Sequence, residues 1–340
     1  MITTTSPPQG FVPVCLMLYR EDGQIDYPAL TRLIHWYLDH GAVGIFANCY
    51  SSEMLFLTDE ERIAHVQHIV RTDDEHVPVY AGGGFGDSVD AKVDFIHRMA
   101  DTGTTGVVLI TNLLCEENDS EDRFTGVVHQ IMQQTESIPL GFYECPVPYR
   151  REVSPAFYRH FLPSGRFGYC KDTSCDRFSI GEKLAVVCQM NATLYEAHSP
   201  HAVTSLRAGA RGMSCITGNY MPDVIAWLCN HYNDPNKTRE VERVQQVLTN
   251  LDSVFHRDYP LAVRLFLSLC GMGNRVYSRS ANHPVTDKIA GRMQALKGWL
   301  DDGSPANRSV GSNELPYRLD PASFPFKPHR SESASSYESS

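Results

Sequence analysis

The sequence predicts an α/β protein, a (β/α)₈ TIM barrel followed by additional C-terminal helices. Eight short apolar runs, rich in valine, isoleucine and aromatic residues, alternate with eight longer amphipathic segments through about the first 230 residues. Such alternation indicates parallel strands joined by crossover helices, and eight units fit a closed barrel. A doubly wound sheet is the alternative, but no G-x-G-x-x-G sequence opens the first helix.

The apolar runs are the predicted strands, and the helices lie between them. The strand segments are 11–18, 43–48, 77–81, 106–111, 138–143, 165–171, 192–195 and 212–216. The helical segments are 27–40, 58–71, 88–102, 119–135, 154–162, 175–189, 199–208 and 220–231. Thr58 and Glu61 have the spacing of a capping box. Residues that stand where a helix cap belongs are Asp26, Asp87, Asp119 and Ser154.

The chain is predicted to divide into four regions. An N-terminal extension, residues 1–10, precedes the barrel at 11–232. Residues 233–301 form a C-terminal helical region, with helices near 235–257, 260–271 and 285–301, which would cover one flank or build a subunit interface. Residues 302–340 are polar and end in SESASSYESS, a composition that buries too little apolar area to offset chain entropy, so this tail is predicted to be disordered.

Composition excludes several classes of protein. Hydrophobic residues make up 42% and charged residues 21%, as in ordinary globular proteins. The net charge of −10 opposes binding to nucleic acid, and the longest apolar stretches are shorter than the ~20 residues of a membrane helix. The ten cysteines are scattered without a metal-binding spacing, so we expect reduced, buried thiols in a cytoplasmic protein, with no metal and no other cofactor.

Lys171 closes an apolar run at the end of the predicted sixth strand. In TIM-barrel enzymes the reacting groups come from the carboxyl ends of the strands. Desolvation at such a position lowers the pKa of an amine, and a neutral amine attacks a carbonyl carbon to form a Schiff base. The alternative is a lysine that extends from the strand end into solvent without a chemical role.

Two further places at strand ends carry suitable groups. Tyr143 ends the fifth strand, one unit before Lys171, and its phenol is able to transfer protons. The turn CYSSE at 49–53 follows the second strand, and its hydroxyls and backbone N–H groups suit a carboxylate. The alternatives are a rim tyrosine that hydrogen-bonds a carbonyl and an ordinary polar loop.

Together these motifs resemble the family of dihydrodipicolinate synthase and N-acetylneuraminate lyase, the Schiff-base class I aldolases that use pyruvate. The resemblance runs from Phe11 to about Gly273. CYSSE stands at the family's carboxylate loop, Tyr143-x-x-Pro146 at its tyrosine motif, and GYCKD at 168–172 at its imine-forming lysine. LRAGARGMS at 206–214 resembles its seventh helix and eighth strand.

The resemblance implies a lyase or aldolase in which Lys171 forms an imine with a pyruvate-type 2-oxo acid and Tyr143 relays protons. The residues that it implies for substrate binding are Tyr50, Ser51, Ser52 and Ser214. It also implies a small-molecule 2-oxo acid as the partner, no cofactor, and assembly into a homo-oligomer, a dimer or a tetramer.

Departures from the family pattern bear on the substrate. Leu114 stands where lysine-pathway synthases have a tyrosine, and the segment 196–200 lacks the acids with which sialic acid lyases bind sugar hydroxyls. Both of those reactions are therefore disfavoured. The charged segment after Tyr143, which includes Arg150, suits a second carboxylate or a polar aldehyde. A dehydratase of a 2-keto-3-deoxy sugar acid and a non-catalytic metabolite-binding barrel remain as alternatives.

Overall fold

A computed structural model describes residues 7–73, 77–135, 137–190, 192–281 and 283–303, together with Glu314, Leu315, Tyr317, Leu319 and Pro325. Most of the predicted N-terminal extension and polar tail lies outside these residues. Within the described part of the chain, no helix has both the length and the apolar character needed to cross a bilayer. The same residues contain no cluster of three or more His, Cys, Asp or Glu side chains suited to a metal ion.

Eight parallel strands form the sheet. They are β1 (Gly10–Phe11), β2 (Ile45–Ala47), β3 (Val79–Gly83), β4 (Gly106–Ile110), β5 (Leu140–Tyr143), β6 (Phe167–Asp172), β7 (Thr193–Glu196) and β8 (Gly212–Met213). Their order is β1-β8-β7-β6-β5-β4-β3-β2. Isolated parallel bridges, Phe11 with Ala42 and Val14 with Phe46, join the first segment to the second and close the circle. The predicted barrel is confirmed.

A helix follows each strand, and three more follow the barrel. The first eight helices are α1 (Tyr27–Asp39), α2 (Asp59–Asp73), α3 (Val89–Ala100), α4 (Glu121–Gln134), α5 (Pro155–Phe161), α6 (Arg177–Val187), α7 (Ala202–Arg207) and α8 (Pro222–His231). The C-terminal helices are α9 (Thr238–Phe255), α10 (Leu261–Leu269) and α11 (Asp287–Gly303). Within the part of the chain that the structure describes, the eleven α-helices lie where the sequence predicts them.

Local hydrogen bonds explain where several helices begin. The capping box is present, since the Thr58 N–H donates to Glu61 and the Glu61 N–H donates to the Thr58 hydroxyl. Asp26 and Ser154 also cap their helices as predicted. The predictions at positions 87 and 119 are wrong by one residue, because the hydroxyls of Ser88 and Ser120 accept the first free N–H groups of α3 and α4.

Strands β1 and β8 are shorter than predicted. The chain after β1 keeps a partial pairing with β2, since the N–H of Phe46 donates to the carbonyl of Pro13 and the N–H of Cys15 donates to the carbonyl of Phe46. From Leu16 to Tyr19 the chain is buried but belongs to no strand. Glycine brings β1 and β8 together, since a Cβ at Gly212 would lie 1.7 Å from the carbonyl oxygen of Gly10. Burial alone therefore did not distinguish a strand from a buried connector.

The ten cysteines are free thiols, and six of them are buried. The prediction that all are buried is wrong for Cys188 and Cys270, which are exposed at the ends of α6 and α10. Both residues follow the last buried turn of a helix, where the chain turns toward solvent.

Candidate active site

Lys171 and Tyr143 lie side by side at the carboxyl end of the barrel. Strands β5 and β6 pair with Tyr143 directly opposite Lys171. The Lys171 Nζ atom lies 4.5 Å from the centre of the Tyr143 ring and 5.4 Å from that of Phe46. Lys171 is only 4% exposed, and both residues face a cavity of about 170 Å³. The amine is therefore directed into the barrel mouth rather than into bulk solvent.

Burial shifts the pKa values of Lys171 and Tyr143 in opposite directions. It lowers the pKa of Lys171, and the neighbouring Cys49, Cys145 and Cys215 only partly oppose this shift. Burial also raises the pKa of Tyr143 well above its usual value. The site therefore combines an amine that loses its proton more easily than an exposed lysine with a phenol that keeps its own. These are the protonation states needed for a nucleophile and a general acid.

A buried ion cluster lies behind this pair. Glu144 follows Tyr143 and Asp172 follows Lys171 in the chain. Lys183 of α6 donates to both oxygens of Glu144, at 2.7 and 2.9 Å, and to Asp172 at 2.7 Å. One ammonium group thus connects the ends of β5 and β6. By this contact, Lys183 holds Tyr143 and Lys171 in neighbouring positions.

The electrostatics of this cluster reflect its burial. Burial and the negative charge of Asp172 raise the pKa of Glu144, while Lys183 opposes this shift. Burial alone would lower the pKa of Lys183, but the two carboxylates raise it well above its usual value. Lys183 is therefore charged and compensates two buried acids. Sequence analysis missed it, because a lysine in a helix carries no signal of what it faces.

The turn after β2 contributes two of the predicted binding residues to the cavity. Tyr50 and Ser51 line it, together with Lys171 and Tyr143. Residues Tyr50–Ser52 form a single 3₁₀ turn, which begins directly after the strand and directs this part of the chain across the barrel mouth. Ser51 is 2% exposed, so a hydrogen bond from its hydroxyl would form in a site with little competing water.

Ser52 and Ser214 occupy different surroundings. The Ser52 hydroxyl donates to the carbonyl of Cys15 at 2.8 Å, which fixes the turn. The Ser214 hydroxyl accepts a hydrogen bond from Tyr169 at 2.9 Å. Among the described residues that line the cavity, neither serine is present. A contact of either with substrate stays a prediction.

The C-terminal region also holds the turn, a role that sequence analysis did not assign to it. Glu53 follows the turn in a left-handed conformation, with φ of 51°. It forms a 2.5 Å ion pair with Arg264 of α10 and accepts a 2.7 Å hydrogen bond from the N–H of Ser280. Burial opposes ionisation of Glu53, but Arg264 and neighbouring hydroxyls lower its pKa. The carboxylate thus anchors the turn to α10.

The outer part of the cavity is polar. Arg150, His198 and His256 line it, and Asp252 lies 3.9 Å from His198 and 3.3 Å from His256. Burial and nearby positive groups lower the pKa of His198 to about 3, so its ring is neutral at physiological pH. Arg150 donates a hydrogen bond to the carbonyl of Ser174. A second reactant at this end of the cavity would contact the guanidinium group of Arg150 and the imidazole rings of His198 and His256, which are able to form hydrogen bonds.

Comparison with known proteins shows the family of the chain. The profile of the Dihydrodipicolinate synthetase family matches residues 7–297. The chain belongs to this family. The resemblance predicted from the sequence is thereby confirmed.

Three relatives are 20–22% identical to this chain. The 4-hydroxy-tetrahydrodipicolinate synthase of Clostridium novyi (strain NT) is 22% identical over 298 residues, which cover 87% of this chain and 97% of that one. The prophage protein YagE of E. coli K12, solved in complex with pyruvate, has a TM-score of 0.78 at 21% identity and covers 85% of this chain and 97% of its own. The Aquifex aeolicus dihydrodipicolinate synthase has a TM-score of 0.74 at 20% identity, with coverages of 85% and 97%.

Proposed function

We propose that the protein is a lyase of the class I aldolase type, which binds a pyruvate-type 2-oxo acid as an imine on Lys171. The observation that carries this proposal is the buried amine of Lys171, held beside the phenol of Tyr143 in a cavity at the barrel mouth. A lowered pKa increases the fraction of amine that is able to attack a ketone. The pyruvate complex of YagE supports the choice of keto acid.

The reaction begins when the neutral Lys171 amine adds to the ketone carbon and gives a carbinolamine. Tyr143 donates its proton to the leaving hydroxyl, which departs as water. The cationic iminium that remains stabilises the phenolate. The Tyr143 phenolate then takes a proton from the adjacent carbon and is again a phenol, which leaves an enamine whose carbon is able to attack an aldehyde. Bond cleavage uses the same steps in reverse, with the iminium accepting the electron pair of the broken carbon–carbon bond.

The turn at Tyr50 and Ser51 is proposed to bind the carboxylate of the keto acid. Both residues line the cavity, on the side of β2. A carboxylate held there places the ketone carbon toward Lys171. Because Ser51 is buried, a hydrogen bond from it to a carboxylate is worth more than one made in water.

The polar outer cavity suggests the second reactant. Arg150 and His198 favour an aldehyde that carries hydroxyl groups or a second carboxylate. Leu114 is buried close to Gly84, so no phenol is available at that position. We therefore propose an aldol cleavage or condensation other than the lysine-pathway reaction named for the curated relatives. A homo-oligomer in the cytoplasm stays a prediction.

Solvent exchange at the methyl group of pyruvate tests the proposal. The protein is incubated with pyruvate in heavy water, and loss of the methyl proton signal is followed by NMR. Exchange above the protein-free rate is expected, because the enamine forms reversibly, and Lys171→Met is expected to abolish it. Lys297→Met, a surface substitution, is the matched control and should exchange normally. Absence of exchange in the folded protein, or normal exchange in Lys171→Met, contradicts the proposal.

A substrate screen distinguishes the reactions that an imine permits. Pyruvate with polar aldehydes tests aldol chemistry, and 2-keto-3-deoxy sugar acids test water elimination. Formation of new carbon–carbon bonds supports the aldolase proposal. Release of water from the sugar acids, without condensation, would favour the dehydratase instead.

A further inference from the structure

A chain of hydrogen bonds runs from α1 to the cavity. The Tyr37 hydroxyl donates to Oδ1 of Asn219 at 2.6 Å, and Nδ2 of Asn219 donates to the Tyr259 hydroxyl at 3.0 Å. The Tyr259 hydroxyl donates in turn to the Ser51 hydroxyl. Tyr37 and Asn219 are completely buried, while Tyr259 and Ser51 line the cavity. Three separate parts of the fold thus meet at a serine proposed to bind substrate.

The asparagine gives this chain a direction. An amide has an oxygen that only accepts and a nitrogen that only donates, whereas a hydroxyl does both. Because Tyr37 donates to the amide oxygen of Asn219, the amide nitrogen donates to Tyr259. Tyr259 then donates its single hydroxyl hydrogen to Ser51. The Ser51 oxygen accepts that bond and keeps its own hydrogen for another partner.

We propose that Asn219 and Tyr259 are positioning residues that orient the Ser51 hydroxyl as a donor to the substrate carboxylate. This inference rests on the proposed function, since it assumes that a 2-oxo acid occupies the cavity. Without the chain, Ser51 would be free to turn its hydrogen away from the carboxylate. Burial raises the pKa of both Tyr37 and Tyr259 well above the usual value, so both phenols retain the hydrogen that the chain requires.

The packing around Tyr259 allows its hydroxyl to be tested alone. Its ring lies against that of Tyr50, with centroids 5.8 Å apart and planes inclined by 31°. Tyr259→Phe keeps this ring contact. The ion pair between Glu53 and Arg264 holds the turn independently of Tyr259. Loss of the hydroxyl is therefore expected to change the direction of one hydrogen bond and to leave the turn in place.

Asn219→Asp provides a second variant of almost the same size. A carboxylate accepts hydrogen bonds from both sides, so Tyr37 and Tyr259 would both donate to it. The Tyr259 oxygen would then accept from Ser51, which reverses the chain and draws the Ser51 hydrogen away from substrate. The variant is thus expected to weaken carboxylate binding although it removes no hydroxyl group.

The test measures imine formation by borohydride trapping at increasing concentrations of two ketones, pyruvate and acetone. Acetone lacks the carboxylate. Tyr259→Phe and Asn219→Asp are expected to raise the half-saturating pyruvate concentration by about tenfold, the value of one hydrogen bond to a charged group. The half-saturating concentration of acetone is expected to stay within about twofold of its value in the unmodified protein. Tyr232→Phe is the matched control, and thermal unfolding confirms that each variant is folded.

A double-mutant cycle with Ser51→Ala completes the test. If Tyr259 acts through Ser51, Tyr259→Phe should have no further effect on pyruvate binding in the Ser51→Ala protein. Additive effects, an unchanged pyruvate response, or equal losses for both ketones overturn the inference. If the unmodified protein itself gives no trapped imine, the proposed function fails and this inference fails with it. If the unmodified protein gives a trapped imine but Tyr259→Phe has the same half-saturating pyruvate concentration, only the inference about Tyr259 is refuted, and the proposed function stands.

Discussion

Lys183→Met is expected to destabilise the protein strongly and to disturb the active pair. Methionine has a similar length, so the substitution removes the charge from the cluster with little change in volume. Glu144 and Asp172 are 0% and 1% exposed and lose their shared ammonium group. Without the ammonium group, burial and the charge of Asp172 raise the pKa of Glu144 further, and the two ion pairs that connect the ends of β5 and β6 are lost. Tyr143 and Lys171, the preceding residues of each strand, would then move apart.

The expected magnitude follows from the burial of all three groups. Removing one partner of a buried ion pair costs about 3 to 5 kcal/mol, because a buried charge is left without compensation. Lys297→Met is the matched control, since Lys297 pairs with Asp301 one helical turn away at the surface of α11. Such a pair contributes less than about 1 kcal/mol. The two substitutions are chemically identical and differ in burial.

Urea-induced unfolding measures both variants, with the free energy of unfolding extrapolated to water. A much larger loss is expected for Lys183→Met than for Lys297→Met, together with a slower rate of borohydride trapping with pyruvate. Adding Glu144→Gln to Lys183→Met removes one of the two buried acids that lose their partner and should recover part of the stability. Equal losses for both lysines, or no recovery in the double variant, would refute the account of the cluster.

Three further predictions concern single residues. Tyr143→Phe should slow methyl exchange of pyruvate by at least about 100-fold, as expected for loss of a general acid and base. Burial and Asp172 raise the pKa of Glu196 to about 8, so the folded state binds its proton more tightly. The contribution of Glu196 to the free energy of unfolding should therefore fall between about pH 5 and pH 8, by at most ~1.4 kcal/mol per pH unit, and Glu196→Gln should remove this contribution from the pH slope. Gly212→Ala should destabilise the barrel, because its Cβ would lie 1.7 Å from a carbonyl oxygen of β1.

The controls for these predictions come from the same chain. Gly126→Ala in α4 meets no atom within 4 Å and should stabilise the helix by about 0.5 to 1 kcal/mol. Urea unfolding across the pH range compares Glu196→Gln with the unmodified protein. Normal exchange in Tyr143→Phe would show that another group moves the proton. An unchanged pH slope in Glu196→Gln would show that Glu196 is not its source. A Gly212→Ala protein as stable as the unmodified one would contradict the close approach of β1 and β8.

The sequence predicts the barrel well because each unit repeats the same physical pattern. Apolar runs such as 106–111 have the length of a buried strand, and amphipathic segments such as 27–40 show the spacing of a helix. The prediction was less accurate where burial has another cause. The run after Phe11 pairs with β2 only as far as Cys15, and its buried continuation to Tyr19 has the composition of a strand without being one.

The candidate site was predicted in part. Lys171 and Tyr143 end neighbouring strands, and the carboxyl ends of barrel strands meet at one mouth, so their proximity follows from the order of the elements. Contacts from outside the barrel could not be predicted in this way. Tyr259 and Arg264 lie more than 200 positions after the turn that they contact. No local pattern connects residues so distant in the chain.

Trapping of the keto acid on the protein shows whether Lys171 forms the imine. The protein is incubated with pyruvate, reduced with borohydride and digested, and the modified peptide is identified by mass spectrometry. A reduced pyruvyl adduct is expected on Lys171 alone and should be absent from the Lys171→Met variant. Recovery of an unmodified Lys171 peptide from folded protein, or an adduct on a different lysine, would contradict this expectation.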